Sequence, residues 1–174
     1  IRTPMNGILG SSSILMETKL DEEQRELTQL IHHSTKSLLE IINDILDFSK
    51  IEAGKMSLER ISVNFKTIIN DAVALVLPSA QANETDINVV INSDLPKYFI
   101  GDPTRLRQIL LNLLSNAIKF TDNGKIDIHV MFDHTQNMEG VLTLKLEDTG
   151  IGMSKEQCDS LFKPFTQADA STSR

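Results

Sequence analysis

Cysteine is nearly absent: Cys158 is the only one, so the chain forms no internal disulfide, and a lone thiol fits a reducing compartment. No apolar run approaches the roughly 20 residues that a membrane-spanning helix needs. The opening Ile1-Arg2-Thr3-Pro4 is not the charged region and apolar core of a secretion signal. Basic residues are in deficit: 17 Lys and Arg stand against 24 Asp and Glu, a formal charge of −7. That balance argues against nucleic acid as the main partner, because neutralising phosphates takes clustered cations. There is no phosphate loop of the GxxxxGK[ST] type and no three-glycine dinucleotide fingerprint. His129 and His134 lack Cys or His partners at metal-ligand spacing. What is present is ordinary for a folded protein: 174 residues, 40% hydrophobic and 24% charged, enough for one domain or two small ones.

The composition changes near residue 54. Before it turn signals are scarce, and after it Gly, Pro, Asn and Asp punctuate alternating β-branched stretches. Residues 1–53 read as a helical hairpin and 57–174 as a mixed α and β domain. The first helix is expected from about Thr3, as N-cap, to Glu17, with Ile1, Met5, Ile8 and Leu15 on one face and Ser12 interrupting it. The second is expected from Glu22 to Glu52. Its stripe Leu27, Ile31, Ser34, Leu38, Ile41, Ile45, Phe48 alternates spacings of four and three, a heptad seam, and Leu39, Ile42 and Leu46 widen it. So wide an apolar arc suits a four-helix bundle, and one hairpin supplies two helices. A segment of this size buries too little surface to stand alone. A second copy repairs this, giving a homodimer; packing on the following domain is the rival reading.

Beyond the linker Ala53-Gly54-Lys55, Met56–Val63 alternates as a strand. Phe65–Leu77 is an amphipathic helix stopped by Pro78, and Ile87–Ile91 is a strand. Asp102 and Pro103 open a helix, as N-cap and first residue, that reaches Phe120. Strands follow at about Lys125–Phe132 and Val141–Glu147, then a short helix capped by Ser154 and a polar tail from Lys163. In the helix after Pro103, Leu106, Ile109, Leu110, Leu113, Leu114, Ala117 and Ile118 follow core spacing. At about 100° per residue, Gln108, Asn112, Asn116 and Lys119 share the opposite arc. Asn is a poor helix former, so a pair at i, i+4 beside a Lys is an unusual solvent face. Amide oxygens can ligand a hard divalent cation, and amide NH₂ groups and Lys can hold phosphate. A Mg²⁺–phosphate site and a merely polar face both fit that helix. Asp148-Thr149-Gly150-Ile151-Gly152 favours the site. It ends a strand, its glycines allow close approach of a ligand, and an ionised Asp accepts from an amino group such as that of adenine.

These segments together resemble the sensor histidine kinases of two-component signalling, in particular the hybrid type. Ile1-Arg2-Thr3-Pro4-Met5-Asn6-Gly7 is similar to the stretch after the phospho-accepting His-Glu of the family's H box. Asp47-Phe48-Ser49-Lys50-Ile51-Glu52-Ala53-Gly54 is similar to the end of its dimerisation hairpin. Asn112 to Thr121 resembles the N box, Asp148 to Met153 the first glycine box, and Phe162-Lys163-Pro164-Phe165 the F box. The resemblance covers the whole chain in order.

It implies a dimeric four-helix bundle followed by an α/β sandwich ATPase domain of the gyrase, chaperone and histidine kinase type. It implies ATP and Mg²⁺ as cofactors. Asn116 would coordinate Mg²⁺, Asn112 and Lys119 would contact phosphates, and Asp148 would accept from the adenine amino group. Gly150 and Gly152 would let the loop pass close to the nucleotide, and Phe162 and Phe165 would anchor a lid. Thr3 would hold the small polar position linked to phosphatase activity. The acceptor His is expected just before Ile1 and a second glycine box beyond Arg174. Related gyrase and chaperone ATPases place a Glu base where this chain has Asn112, and an amide cannot serve as that base. The expected chemistry is therefore γ-phosphoryl transfer to an imidazole rather than hydrolysis, then relay to a receiver-domain Asp of a response regulator. A non-catalytic dimerisation and nucleotide-sensing module is the alternative. His32 and His33, off the seam and without H-box neighbours, read as a solvated face. The expected location is a cytoplasmic region with no membrane contact by this segment, although the parent protein could be membrane-anchored.

Overall fold

A computed structural model describes residues 1–135 and 139–160. The chain divides into two compact units, Ile1–Ser57 and Leu58–Arg174.

The first unit is an antiparallel pair of helices, α1 (Arg2–Met16) and α2 (Glu22–Glu52). Thr3 does not cap α1. The N-cap is Ile1 and no side chain bonds there, so Thr3 lies inside the first turn beside Pro4, which has no amide to cap. α2 starts with a capping box. Asp21 Oδ1 accepts from Gln24 N (2.8 Å), and the Gln24 side chain accepts from Asp21 N (3.2 Å). It ends in a Schellman turn: Gly54 N bonds Ile51 O, Lys55 N bonds Lys50 O, and Gly54 takes φ +62°.

The fully buried side chains of the hairpin are small and hydroxylated, while Met5, Leu9, Met16, Leu39 and Ile42 are half-buried. The buried ones are Ser12, Thr28 and Thr35, and Thr28 and Thr35 donate to the carbonyls of Gln24 and Ile31 in their own helix, both at 2.7 Å. His32 is not on a solvated face. It is half-buried with Nδ1 3.0 Å from Ser12 Oγ, a hydroxyl that also lies 2.9 Å from Leu9 O. The apolar seam stays largely in water: Leu27, Ile31, Leu38, Ile41, Ile45 and Phe48 are each 37–54% exposed.

The second unit runs β1 (Ile61–Val63), α3 (Phe65–Ala82), β2 (Asp86–Ile91), β3 (Phe99–Gly101), α4 (Pro103–Phe120), β4 (Lys125–His134), β5 (Gly140–Asp148) and α5 (Lys155–Ser160). β2, β4 and β5 form a mixed sheet in that order: β2 pairs β4 in parallel, Ile87 beside Ile126, and β4 pairs β5 antiparallel, Ile126 beside Asp148. The parallel step needs a crossover, and α4 lies within it. Phe65 and Ile69 of α3 and Leu110 and Leu114 of α4 are fully buried with Ile126, Ile128 and Val130 of β4. Burying each such side chain stabilises by about 1.5–3 kcal/mol. The other face of the sheet is polar, with ion pairs Lys125–Asp127 (3.0 Å) and Lys145–Glu147 (2.8 Å).

The structure differs from the sequence reading in four places here. The strand expected over Met56–Val63 is ordered as strand only from Ile61, because the amide of Glu59 is bonded to Asp102 Oδ2 (3.1 Å) instead of to a strand. β3 was not expected. It pairs antiparallel with β1, and Phe99 meets Phe65 edge-on at 5.9 Å. α3 does not stop at Pro78 but continues to Ala82. Pro78 forfeits the bond to Ala74 O, yet Ala80 beyond it is fully buried and Thr85 N closes the turn onto Ala80 O. Ile109 and Leu113 are 54% and 42% exposed, so the buried arc of α4 is narrower than its apolar stripe.

Candidate functional site

α4 begins firmly. Asp102 Oδ1 accepts from Thr104 N (3.0 Å) and Arg105 N (3.1 Å). The Glu59 amide, followed by that of Arg105, holds the Asp102 carboxyl below the usual carboxylate range. With its start pinned and its core arc buried, α4 presents Asn112, Asn116 and Lys119 to solvent, and the Lys119 ammonium sits 5.0 Å over the Phe120 ring. Gln108, on the same arc, is half-buried and accepts from Arg105 Nη1 (2.7 Å).

Asp148 is the last residue of β5 and is exposed. Its Oδ1 accepts from Gly150 N (3.0 Å), which folds the following turn back over the carboxylate. Thr149 fastens the turn to β4: its amide donates to Lys125 O (3.1 Å) and its hydroxyl accepts from Lys125 N (3.0 Å). Ile151 N then donates to Phe120 O (3.2 Å), the carbonyl of the last residue of α4. The turn carrying Asp148 is therefore bonded to the helix carrying Asn112, Asn116 and Lys119. Gly150 is needed for that junction, since a Cβ there would overlap the Phe120 carbonyl. Gly152 adopts φ +66°, with open space where its Cβ would be.

Sequence reasoning missed the residues that build the junction, Phe120, Thr121 and Thr149. They lie inside the quoted motifs, but no periodicity separates a helix-end residue from ordinary packing. Thr121 is 1% exposed, and its carbonyl accepts from Thr85 Oγ1 (3.3 Å). Its own hydroxyl is, among the described residues, the one buried side-chain polar atom without a hydrogen-bond partner. Phe162 and Phe165 lie outside the described residues. Thr3 is exposed on α1, in the other unit. No group of three or more His, Cys, Asp or Glu converges as a cation site among the described residues. A divalent cation here would have to combine an amide oxygen with water and a ligand's own oxygens, the usual habit of Mg²⁺.

Two family models match the chain: the His Kinase A (phospho-acceptor) domain over residues 1–54, and the histidine kinase-, DNA gyrase B- and HSP90-like ATPase over residues 101–174. Sensor histidine kinase GacS of Pseudomonas protegens is 44% identical over 174 residues, covering 100% of this chain and 19% of that protein. Hybrid signal transduction histidine kinase A of Dictyostelium discoideum is 42% identical, covering 100% of this chain and 8% of that protein. Among solved structures, full-length ShkA in complex with AMPPNP matches with a TM-score of 0.73 at 33% identity, over 90% of this chain and 33% of that one. The chain thus spans less than a fifth of the length of these curated relatives. No helix among the described residues is long and apolar enough to cross a membrane.

Proposed function

The chain belongs to the histidine kinase family, and from that premise we propose that it is the core of a hybrid-type sensor kinase that passes the γ-phosphoryl group of Mg-ATP to a histidine of the dimerisation helix. The observation that carries this reading is the Ile151 N–Phe120 O bond. It seats the Asp148 carboxylate beside the end of the helix that bears Asn112, Asn116 and Lys119.

The donor set suits a nucleotide. The Asp148 carboxylate accepts from the exocyclic amine of adenine. Asn116 offers an amide oxygen to Mg²⁺, and Asn112 and Lys119 hold phosphate oxygens. Gly150 and Gly152 keep the rim of the site low. The bound Mg-ATP supplies the phosphoryl group; the chain's own groups hold and orient it and neutralise its charge. Asn112 carries no carboxylate, so it cannot activate water as a base, and transfer to an imidazole is favoured over hydrolysis.

The exposed seam from Leu27 to Phe48 pairs with the same seam of a second copy, giving a four-helix bundle. A receiver domain of a response regulator takes the phosphoryl group onward, and Thr3, exposed on α1, serves the phosphatase activity, in which water takes the phosphoryl group from the receiver's Asp. The segment works in the cytoplasm.

Calorimetric titration of the 174-residue chain with Mg-ATP tests the site. Binding is expected, with at least tenfold loss after Asn116→Asp combined with Asp148→Asn, and loss again when EDTA removes Mg²⁺. Unchanged affinity in the double variant would overturn the assignment.

A further inference from the structure

We propose that Asn123 is a site of spontaneous self-modification: its side-chain amide is displaced by the Gly124 backbone nitrogen, and the isoaspartate that follows unfastens the turn carrying Asp148. The link to binding rests on the nucleotide reading of that turn; the chemistry does not. Asn is a thermolabile residue. It reacts most readily before Gly, where no side chain shields the following amide. The chain has two Asn-Gly pairs, Asn6-Gly7 and Asn123-Gly124, and both asparagines are exposed. The fold separates them. Asn6-Gly7 lies inside α1, where the helix ladder occupies the Gly7 amide and fixes the backbone. Asn123-Gly124 lies in the connection between α4 and β4, outside any helix or strand. Among the described residues, no hydrogen bond engages the Asn123 side chain or the Gly124 amide. Asn123 also takes φ +46°, a conformation unfavourable for a residue with a side chain. The nucleophile and the group it attacks are thus adjacent in the chain and both unengaged.

The step needs no reagent but water. Gly124 N gives up its proton to solvent base and bonds to Asn123 Cγ. The Cγ–Nδ2 bond breaks, and ammonia leaves with a proton taken from water. Water then opens the cyclic imide at either carbonyl. One opening gives aspartate. The other gives isoaspartate, in which the main chain runs through the former side chain and gains a carbon. That carbon falls in a crowded place. Gly124 packs so closely that a Cβ on it would overlap Thr149 Oγ1. Asn123 N donates to Asn83 O (3.0 Å), and Gly124 O accepts from Asp86 N (2.9 Å), so the chain is anchored on both sides of the reacting bond. The next residue, Lys125, donates its amide to Thr149 Oγ1 (3.0 Å) and accepts from Thr149 N (3.1 Å). That clasp fastens the Asp148 turn to β4. Lengthening the main chain at residue 123 displaces Gly124 and Lys125 and loosens it.

The test incubates the 174-residue chain in warm, mildly alkaline buffer. Peptide mapping by mass spectrometry reads the exchange of amide for acid, and isoaspartyl methyltransferase labels isoaspartate. Hydrogen exchange follows the Thr149 amide, and calorimetry measures ADP with Mg²⁺. Two variants are controls. Asn123→Gly has no side-chain amide and tolerates the positive φ, and freshly made Asn123→Asp carries the charge on an unlengthened chain. The inference expects conversion at Asn123 well ahead of Asn6. In the converted chain the Thr149 amide exchanges about tenfold faster and ADP binds about fivefold more weakly, with both controls at parental values. An Asn123 that stays intact, or converts no faster than Asn6, overturns the inference. So does conversion that leaves Thr149 exchange unchanged, or an equal loosening in incubated Asn123→Gly. A loosened turn with parental ADP affinity upholds the modification and counts against Asp148 as a nucleotide contact. If the parent binds no ADP, the proposed function falls, and the peptide map and Thr149 exchange still decide this inference.

Discussion

In the hairpin the buried side chains are Ser12, Thr28 and Thr35, whereas in the unit beginning at Leu58 the most buried ones are Phe65, Ile69, Leu110, Leu114, Ile126, Ile128 and Val130. The two units solve the same problem at different levels of organisation. In the α/β unit two helices cover one face of a mixed sheet, so the apolar surface is removed from water within a single chain. In the hairpin small hydroxylated residues bring α1 and α2 together, with Thr28 and Thr35 satisfied by their own helix. The large apolar residues of the α2 seam are left exposed. A continuous stripe of that kind suits the second copy proposed above, which would cover it with an identical stripe. One unit thus closes a core within a single chain, and the other leaves an apolar seam open.

Cutting the α/β core should give the largest effect, and only there. Leu114→Ala removes a fully buried side chain between α4 and the sheet. It is expected to cost about 2–5 kcal/mol in chemical denaturation of that unit. Dimerisation, followed by light scattering, should be unchanged. Altered dimerisation would show that the units do not hold themselves together independently.

Charging the seam should do the reverse. Ile45→Glu places a carboxylate on an apolar position that is 52% exposed in one chain and would be covered by a second copy. An isolated hairpin tolerates it. A dimer has to bury two such charges, so association is expected to weaken by at least about 100-fold, or about 2.7 kcal/mol. Melting of the α/β unit and its affinity for Mg-ATP should stay at parental values. An unchanged dimer would remove the seam from the interface.

The same contrast explains what could be seen in the sequence. α2 was legible from its long stripe, and α4 from a stripe that agrees with its cap of Asp102 and Pro103, whereas the Asp21–Gln24 capping box of α2 went unread. The candidate site was legible as motifs, Asn112 to Thr121 and Asp148 to Gly152, but not as a junction. Nothing local reveals that Ile151 will bond the end of α4 or that Gly150 is required by the Phe120 carbonyl. β3 was hidden because three residues carry no periodicity, and it exists only by pairing with β1. α3 outruns Pro78 because burial of Ala80 outweighs one lost hydrogen bond, a tertiary effect invisible to a local rule. His32 was misplaced for the same reason: its partner Ser12 is on the other helix.

The smallest effect concerns how each unit ends its helices. α2 and α3 both close with a Schellman turn, and both put the residue after the C-cap in the left-handed region. In the hairpin that residue is Gly54, at φ +62°, whereas in the α/β unit it is Glu84, at φ +50°. Glu84 is exposed, and its amide already bonds Gln81 O (3.1 Å), so the turn needs its backbone and not its side chain. A non-glycine residue in that conformation carries strain of roughly 1–2 kcal/mol, and glycine gives back about 0.4–1 kcal/mol through the freedom it adds to the unfolded chain. Glu84→Gly is therefore expected to stabilise the α/β unit by about 0.5–1 kcal/mol, a rise of a few degrees in its melting point. Gly54→Ala should destabilise the hairpin by a similar amount. A fall in melting point for Glu84→Gly would mean that the Glu84 side chain contributes more than its conformation costs.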